Sequence, residues 1–255
     1  MNKKLILSIL LLGMFSVLLV HPIHADPIPN INIQVGDSDG TAGGGTSSIS
    51  ILLLVTVLSV APAFLVLMTS FTRIVIVLGF VRTSLGTQQM PPNQVLVGLA
   101  LFLTLFIMSP TLSQVNEQAL QPYMKGTLTQ SEALAKAADP MKEFMFKQTN
   151  TKDLLLFMNY TGGNATVKPA TYSDIPLTVM VPAFAIGEMK KAFMMGFMIF
   201  IPFLIIDIVV SSTLMAMGMM MLPPVMISLP FKIMLFVLVD GWYLVVQSLL
   251  LSFNT

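Results

Sequence analysis

Cysteine is absent from the 255-residue sequence, which excludes disulfides, thiolate catalysis and cysteine-ligated zinc or iron–sulfur sites. The two histidines, His21 and His24, both lie near the N-terminus, so a histidine metal centre or a Ser-His-Asp triad lacks its residues. Charged residues make up only 10% of the chain, whereas soluble domains carry about 25%. With 13 basic and 12 acidic residues the net charge is +1, too small to attract nucleic acid. We therefore predict no catalytic residue, no metal, no cofactor and no nucleic-acid partner.

Hydrophobic residues, by contrast, make up 55% of the chain. Beyond an apolar leader there are four long apolar segments, each near the roughly 20 residues that a helix needs to cross a bilayer. They cover residues 49–68, 93–108, 192–217 and 225–251. The predicted fold class is an all-α membrane protein with four apolar helical segments after a signal peptide. The second hairpin is broken by proline and glycine, and a small helical periplasmic domain separates the two hairpins.

The N-terminus has the three parts of a secretory signal peptide. Lys3 and Lys4 precede an apolar run, and the small residue Ala25 stands where a signal peptidase would cut. Residues 1–25 are therefore predicted to be removed. Residues 26–48 contain glycines, serines and aspartates that cannot bury a core, so they are predicted to form a flexible periplasmic tether.

Two arginines orient the first pair of segments. Arg73 and Arg82 lie in the loop between these segments with no acid beside them, and the positive-inside rule places that loop in the cytoplasm. Residues 49–108 then form the first helical hairpin, and residues 109–181 form the helical periplasmic domain. Residues 182–255 form the second, channel-forming hairpin.

Capping signals divide the periplasmic domain into helices. Ser109 and Asp139 each precede a proline, as an N-cap does, and are predicted to begin helices. Thr129 and Glu132 match a capping box. A domain of roughly 70 residues has a thin core, so we expect it to pack in a ring or against partners.

Three charges interrupt the second hairpin: Asp207, Lys232 and Asp240. Each would cost several kcal/mol against lipid, so each must face protein or water. Lys232 lies about two turns from Asp240 on roughly the same side, which predicts a structural ion pair. Four prolines also interrupt these segments and free backbone carbonyls that lipid cannot satisfy. We therefore expect sister subunits to shelter this hairpin.

Three more charges precede the third segment: Glu188, Lys190 and Lys191. Glu188 and Lys191 have the i, i+3 spacing of a local pair, whereas Lys190 points elsewhere. In a ring of copies, one lysine per chain would become a belt of charge. A pore-lining role for these lysines therefore stays open beside a local one.

Methionine is unusually frequent, with 21 residues, six of which lie within residues 215–226. Met219, Met220 and Met221 are consecutive, in an uncharged stretch bounded by glycine and proline. Methionine is unbranched and polarizable, so it adapts to a surface of changing shape. Three consecutive side chains cannot all face one core. The trio is therefore predicted to line a lumen, where a ring of such side chains could close an apolar constriction; a flexible core filler is the alternative.

Two other functions stay open from the residues alone. Asp207 and Asp240 would be the paired carboxylates of an intramembrane aspartyl protease, although Asp240 lacks the Gly-x-Gly-Asp context. A small ion or solute transporter would place Asp207 and Lys232 along its path, although its two halves should then match, and here they do not.

Six blocks carry a more specific signal. They are residues 69–82 (TSFTRIVIVLGFVR), 88–104 (QQMPPNQVLVGLALFLT), 200–207 (FIPFLIID), 219–224 (MMMLPP), 229–232 (LPFK) and 240–242 (DGW). In this order they closely resemble the FliP family. The resemblance extends over most of residues 51–250 and implies a core subunit of the flagellar type III protein export gate. Unfolded flagellar proteins leave the cytoplasm through that gate, and its subunit is not an enzyme.

The resemblance also implies partners and site residues. It implies a homo-oligomer, a pentamer, that joins FliQ-like and FliR-like subunits and an FlhB-like protein in the bacterial inner membrane and periplasm, at the flagellar basal body. Met219, Met220 and Met221 would form the gasket around the exported chain, and Glu188 and Lys232 match charged positions of the packed hairpin. Further charges expected to be buried or to lie between subunits are Lys190, Lys191, Asp207 and Asp240.

Overall fold

The structure is a computed structural model of the 255-residue chain. It describes residues 55–253 except for 57–58, 61, 64–65, 88–89, 163–168, 170 and 220–222. The predicted signal peptide and tether lie outside the described residues, as does part of the first apolar segment. All contacts given below lie within one compact unit, Leu58–Thr255.

Helices account for the regular structure. In chain order they are α1 (Phe71–Leu85), α2 (Asn93–Val115), a π-helical turn (Asn116–Leu120), α3 (Gln121–Met124), α4 (Gln130–Gln148), α5 (Thr151–Tyr160), α6 (Leu177–Ala216), α7 (Pro224–Leu238) and α8 (Gly241–Leu251). No strand occurs in the described part of the chain. The all-α prediction is therefore confirmed for these residues.

The main core forms where α1 packs along α6. Ile74, Val77, Leu78 and Val81 of α1 are fully buried, and their spacing puts them on one helical face. Each such side chain contributes roughly 1.5–3 kcal/mol when buried. The two helices approach closely at Gly196, where a β-carbon would lie 2.4 Å from the ring of Phe80. The expected cytoplasmic loop between the first two segments is thus largely helix α1.

A second core joins the small polar domain to the start of α6. Met145 of α4, Leu154 of α5 and Phe184 of α6 are all fully buried in it. The predicted capping box is confirmed, because the Thr129 side chain accepts from the Glu132 backbone N–H and the Glu132 carboxylate accepts from the Thr129 backbone N–H. The backbone N–H of Thr129 is the main cause that holds the pKa of Glu132 below its ordinary value.

Two predicted helix starts in this domain are wrong. Pro110 lies inside α2 and Pro140 lies inside α4, so neither Ser109 nor Asp139 caps a helix. Each proline removes one backbone hydrogen bond, yet each helix continues because its remaining turns pack against neighbours. The apolar helix α2 therefore runs without interruption into the polar domain.

Two stretches of the described chain are long and apolar enough to cross a membrane: Asn93–Met124, with 32 residues, and Leu177–Ala216, with 40 residues. A third span is possible if α7 and α8 are counted together, although they meet at a bend of 62°. The predicted total of four spans stays a prediction, since the first apolar segment is only partly described.

Two of the prolines predicted to interrupt the second hairpin do not break its helices. Pro202 and Pro230 both lie inside continuous helices. The chain bends instead at Asp240, whose φ of 50° is left-handed, a conformation that aspartate tolerates better than most residues. The next residue must be small, because a β-carbon on Gly241 would lie 2.3 Å from the Phe236 ring.

Candidate functional site

Arg73 of α1 and Glu188 of α6 form an ion pair inside the protein, with side chains only 1% and 0% exposed. Nε of Arg73 donates to Oε2 of Glu188 at 2.7 Å, and Nη2 donates to Oε1. This bidentate arrangement is the strong geometry of an arginine–carboxylate pair. Arg73 is buried because it lies four residues before Val77 and eight before Val81, on the face of α1 that packs inward.

The other donors of Arg73 reach α4 and the C-terminal residues. Nη1 donates to the carbonyl and hydroxyl oxygens of Ser252, each at 2.8 Å, and Nη2 donates to Gln148 Oε1 at 3.1 Å. The centroid of the Phe253 ring lies 3.7 Å from the guanidinium carbon, a cation–π contact. All five N–H groups of the guanidinium therefore have acceptors. We call this arrangement the Arg73 node.

Sequence reasoning used Arg73 only as an orientation signal and did not find the node. The signal was available, because the helical period of α1 puts Arg73 on the apolar face. No local sequence pattern indicates that Gln148 and Ser252 contact Arg73. These contacts form only because the C-terminal ends of α4 and α8 pack beside α1. Arg82, the other orientation residue, donates to Asn93 Oδ1 at 2.7 Å. Arg73 Nη2 lies 3.1 Å from Gln148 Oε1, and Gln148 belongs to the predicted periplasmic domain. A cytoplasmic Arg73 is therefore incompatible with a periplasmic domain over residues 109–181, and only the orienting role of Arg82 stays a prediction.

The predicted contact between Glu188 and Lys191 is present, with Lys191 Nζ 3.8 Å from Glu188 Oε1. It is not the main interaction of either residue, because Glu188 is held by Arg73. Lys191 Nζ donates at 2.6 Å to the carbonyl oxygen of Gln148. The neighbouring Lys190 is exposed.

A second ion pair joins α6 and α7, which are the two arms of the second hairpin. Lys232 Nζ of α7 donates to Asp207 Oδ2 of α6 at 2.7 Å, and Ser228 Oγ donates to Asp207 Oδ1 at 2.6 Å. The Lys232 side chain is only 4% exposed, whereas that of Asp207 is 27% exposed. A β-carbon on Gly86 would lie 3.7 Å from Lys232 Nζ, so the ammonium is close to the C-terminal end of α1, where a cation is favourable.

The predicted pairing of Lys232 with Asp240 is wrong. The helical break at Asp240 separates it from the end of α7, and Lys232 is turned towards α6. Asp240 is exposed. Sequence spacing on one helix could not show that the partner of Lys232 comes from the other arm of the hairpin.

The methionine stretch lies in the chain between the end of α6 at Ala216 and the start of α7 at Pro224. Gly218 follows α6 with a φ of 73°, a left-handed conformation that glycine adopts without strain. Met219 is 43% exposed. Met220 and Met221 lie outside the described residues, so the predicted gasket stays a prediction.

Within the described residues, no three His, Asp or Glu side chains come together in a group that could hold a metal ion. Outward-facing surfaces of α6 and α7 are instead apolar. Large side chains that are more than half exposed include Phe193, Phe197, Met198, Ile205, Met215, Phe231, Val237 and Leu238. Apart from the exposed Lys190, the charges of these helices are held in ion pairs, while hydrophobic residues face outward.

Comparison with known proteins decides the family. The FliP family model matches residues 54–249, nearly the whole chain beyond the predicted tether. The chain belongs to the FliP family. It is 68% identical over 208 residues to the flagellar biosynthetic protein FliP of Bacillus subtilis (strain 168), covering 82% of this chain and 93% of that protein. It is also similar to the proteins of the same name from Pectobacterium carotovorum subsp. carotovorum, 51% identical over 82% of this chain and 80% of that protein, and from Buchnera aphidicola subsp. Acyrthosiphon pisum (strain APS), 50% identical over 91% of this chain and 60% of that protein.

Membership of the FliP family confirms the resemblance drawn from the sequence blocks. The chain is a membrane-embedded component of the flagellar export apparatus and not an enzyme. The protease and transporter alternatives are not supported. In the structure Asp207 is held by Lys232 and Ser228, so it is not one of two carboxylates that share a proton.

Proposed function

We propose that this FliP-family chain joins copies of itself to build the channel wall of the flagellar type III export gate. The observation that carries the proposal is the length of α6. Its 40 residues make a helix of about 60 Å at 1.5 Å per residue, whereas the hydrocarbon core of a bilayer is about 30 Å thick. About half of α6 must therefore lie outside the hydrocarbon, even with a moderate tilt.

Apolar side chains are nevertheless exposed along much of α6. Phe193 near its middle is 56% exposed, and Met215 near its end is 60% exposed. A lone protein rarely leaves so long an apolar surface in water. Lipid can cover one part, and sister or partner subunits are the natural cover for the rest. This surface supports a homo-oligomer. The pentamer with FliQ-like, FliR-like and FlhB-like proteins is what the family resemblance implies.

The second hairpin would present its turn to the lumen. The Lys232–Asp207 pair ties the two arms together, and Gly218 allows the reversal that follows α6. In this proposal Met219, Met220 and Met221 form an apolar ring that yields to an unfolded chain but excludes ions. Lys190 is exposed and does not belong to the buried charges.

The proposed topology follows the sequence analysis except at Arg73, which contacts Gln148 and so lies on the same side as residues 109–181. Residues 1–25 direct export and are removed, residues 26–48 lie in the periplasm, and residues 109–181 form the periplasmic domain. The chain then belongs to the bacterial inner membrane and periplasm at the flagellar basal body, with four apolar segments, and unfolded flagellar proteins are its substrates.

The gasket is tested by ion leak. Replacing Met219, Met220 and Met221 together by alanine should raise the conductance of the complex reconstituted with its partner subunits, because the constriction loses three flexible side chains. A matched variant replaces Met90, Met124 and Met234, which are exposed away from the turn. This variant should leave the conductance unchanged.

The mass of the detergent-extracted particle is measured for each variant. Unchanged conductance of an intact complex after the triple change at the turn would remove the gasket. A monomeric wild-type particle would contradict the proposed channel itself, whatever the conductance.

A further inference from the structure

A basic cavity lies where α5 packs against α6. Its volume is about 460 Å³, and it is lined by Asn150, Thr151, Lys152, Lys190, Lys191 and Met194. Three of these six side chains are cationic and none is acidic. The chain carries only 13 basic residues in all, so three lysines around one cavity are a marked concentration of charge. The Arg73 node accounts for Lys191, which contacts Glu188 and Gln148, but not for Lys152 or Lys190.

The three lysines differ in how they are held. Lys191 is anchored, because its Nζ donates to the Gln148 carbonyl oxygen at 2.6 Å while its side chain remains 30% exposed. Lys152 and Lys190 are exposed, and no ion pair to either of them forms among the described residues. Glu188, one helical turn away on α6, is already neutralised by Arg73. Asp153 also lies beside the cavity, since the lining Asn150 donates to its Oδ2 at 3.4 Å. With three lysines against this one carboxylate, the cavity keeps a net positive charge.

The cavity opens directly beside an apolar surface. Met194 lines it and is 58% exposed, and the next turn of α6 carries Phe197 at 57% and Met198 at 62%. On a helix, residues three and four apart are neighbours on one side. A strip of exposed hydrophobic side chains thus begins at the edge of the lysine cluster and continues along the helix that is apolar enough to cross a membrane.

We propose that this cavity binds the phosphate headgroup of an anionic phospholipid, with the acyl chains lying along Phe197 and Met198. A basic pocket beside a spanning helix has the chemistry that binds anionic lipid headgroups.

Charge and hydrophobicity together favour a lipid over a soluble anion. Free phosphate would use the lysines alone and leave the adjoining apolar strip in water. An acidic peptide would need a polar groove on both sides of the cluster, whereas the α6 side is apolar. The inference requires that α6 is embedded in a bilayer, which rests on the function proposed above, but it does not require any particular number of subunits.

The test counts lipids bound to the full-length protein by native mass spectrometry. Detergent-extracted protein is titrated with short-chain phosphatidylglycerol and, separately, with short-chain phosphatidylcholine. Phosphatidylglycerol should bind more tightly. The double variant Lys152→Gln, Lys190→Gln should weaken it by about fivefold for each lysine, or about 25-fold in total. Lys191 is left unchanged because it also contacts Gln148.

Two control variants separate charge from a general effect. The variant Lys152→Arg, Lys190→Arg keeps both charges and should bind as the wild type does. The variant Lys125→Gln, Lys136→Gln removes the same charge from exposed positions outside the cavity and should also bind normally. Sodium phosphate and soluble polyglutamate are added as competitors, and neither should displace the lipid at concentrations comparable to its own.

Several results would overturn the proposal. They are equal binding of the two lipids, unchanged binding by the double glutamine variant, or displacement by phosphate or polyglutamate at concentrations comparable to the lipid's. The same spectra give the number of subunits. An oligomer that does not distinguish the lipids contradicts only this inference, whereas a monomer contradicts the proposed channel and leaves the lipid comparison to be judged separately.

Discussion

Replacing Glu188 by methionine should destabilise the protein strongly, because it leaves the buried Arg73 without its counter-charge. The two side chains are 0% and 1% exposed within a single chain, so neither water nor subunit assembly relieves the change. Removing one partner of a buried pair typically costs about 3–5 kcal/mol. Arg73→Met should cost a comparable amount, since Glu188 would keep only Lys191, 3.8 Å away.

The double variant distinguishes a charge effect from a packing effect. With both charges replaced by methionine no unpaired ion remains, and such replacements can be neutral. Here Arg73 also donates hydrogen bonds to Gln148 and Ser252. A buried acceptor that loses its donor costs about 1–3 kcal/mol. The double variant should therefore lose about 1–3 kcal/mol, well below the sum of the single variants.

Thermal unfolding of the detergent-extracted protein measures these differences. For a chain of this size, 1 kcal/mol corresponds to about 2–4 °C, so each single variant should lower Tm by about 6–20 °C. Additive losses would show that the two residues are not coupled. Single-variant losses below about 1 kcal/mol, the range of surface pairs, would show that the pair is not buried in the protein as it exists in solution.

Three further predictions concern other parts of the fold. Lys232→Met should weaken assembly because Asp207 loses its partner, and Asp207→Asn in the same chain should restore part of the oligomer seen on native gels; no restoration would contradict the pair. Gly241→Ala should lower stability by about 1–3 kcal/mol, because the new β-carbon would lie 2.3 Å from the Phe236 ring; an unchanged Tm would refute this contact. The pKa of Glu132 is lowered from 4.5, so its capping contribution is complete above pH 4.5 and is lost as the pH falls through the lower folded value. Hydrogen exchange of the first turn of α4 should accelerate in that acid range, and a Glu132→Gln variant that accelerates equally would exclude the carboxylate as the cause.

Features that depend on interactions between residues close in sequence could be predicted from the sequence. The capping box at Thr129 depends on residues three apart in one turn, and the all-helical class follows from long apolar segments. Predictions failed where packing outweighs local preference. Pro110 and Pro140 look like helix starts by residue type, yet the surrounding helices continue because tertiary contacts stabilise them on both sides.

The partners of charged side chains were the least predictable part of the site. The spacing of Lys232 and Asp240 along one segment predicted that they pair, but the helix breaks at Asp240, whose φ is left-handed. The partner of Lys232 is instead Asp207 on α6. Arg73 likewise finds Glu188 at a separation of 115 residues, which no local pattern indicates.

Sequence alone determined that this chain is an apolar, helical, non-enzymatic member of its family, because composition, hydrophobic run length and residue order carry that information directly. Only the tertiary structure decided where the charges go: Arg73 to Glu188, Lys232 to Asp207, and three lysines to one cavity beside α6. The reason is that a buried charge is stable only beside its counter-charge, and which residues become neighbours depends on how distant helices pack.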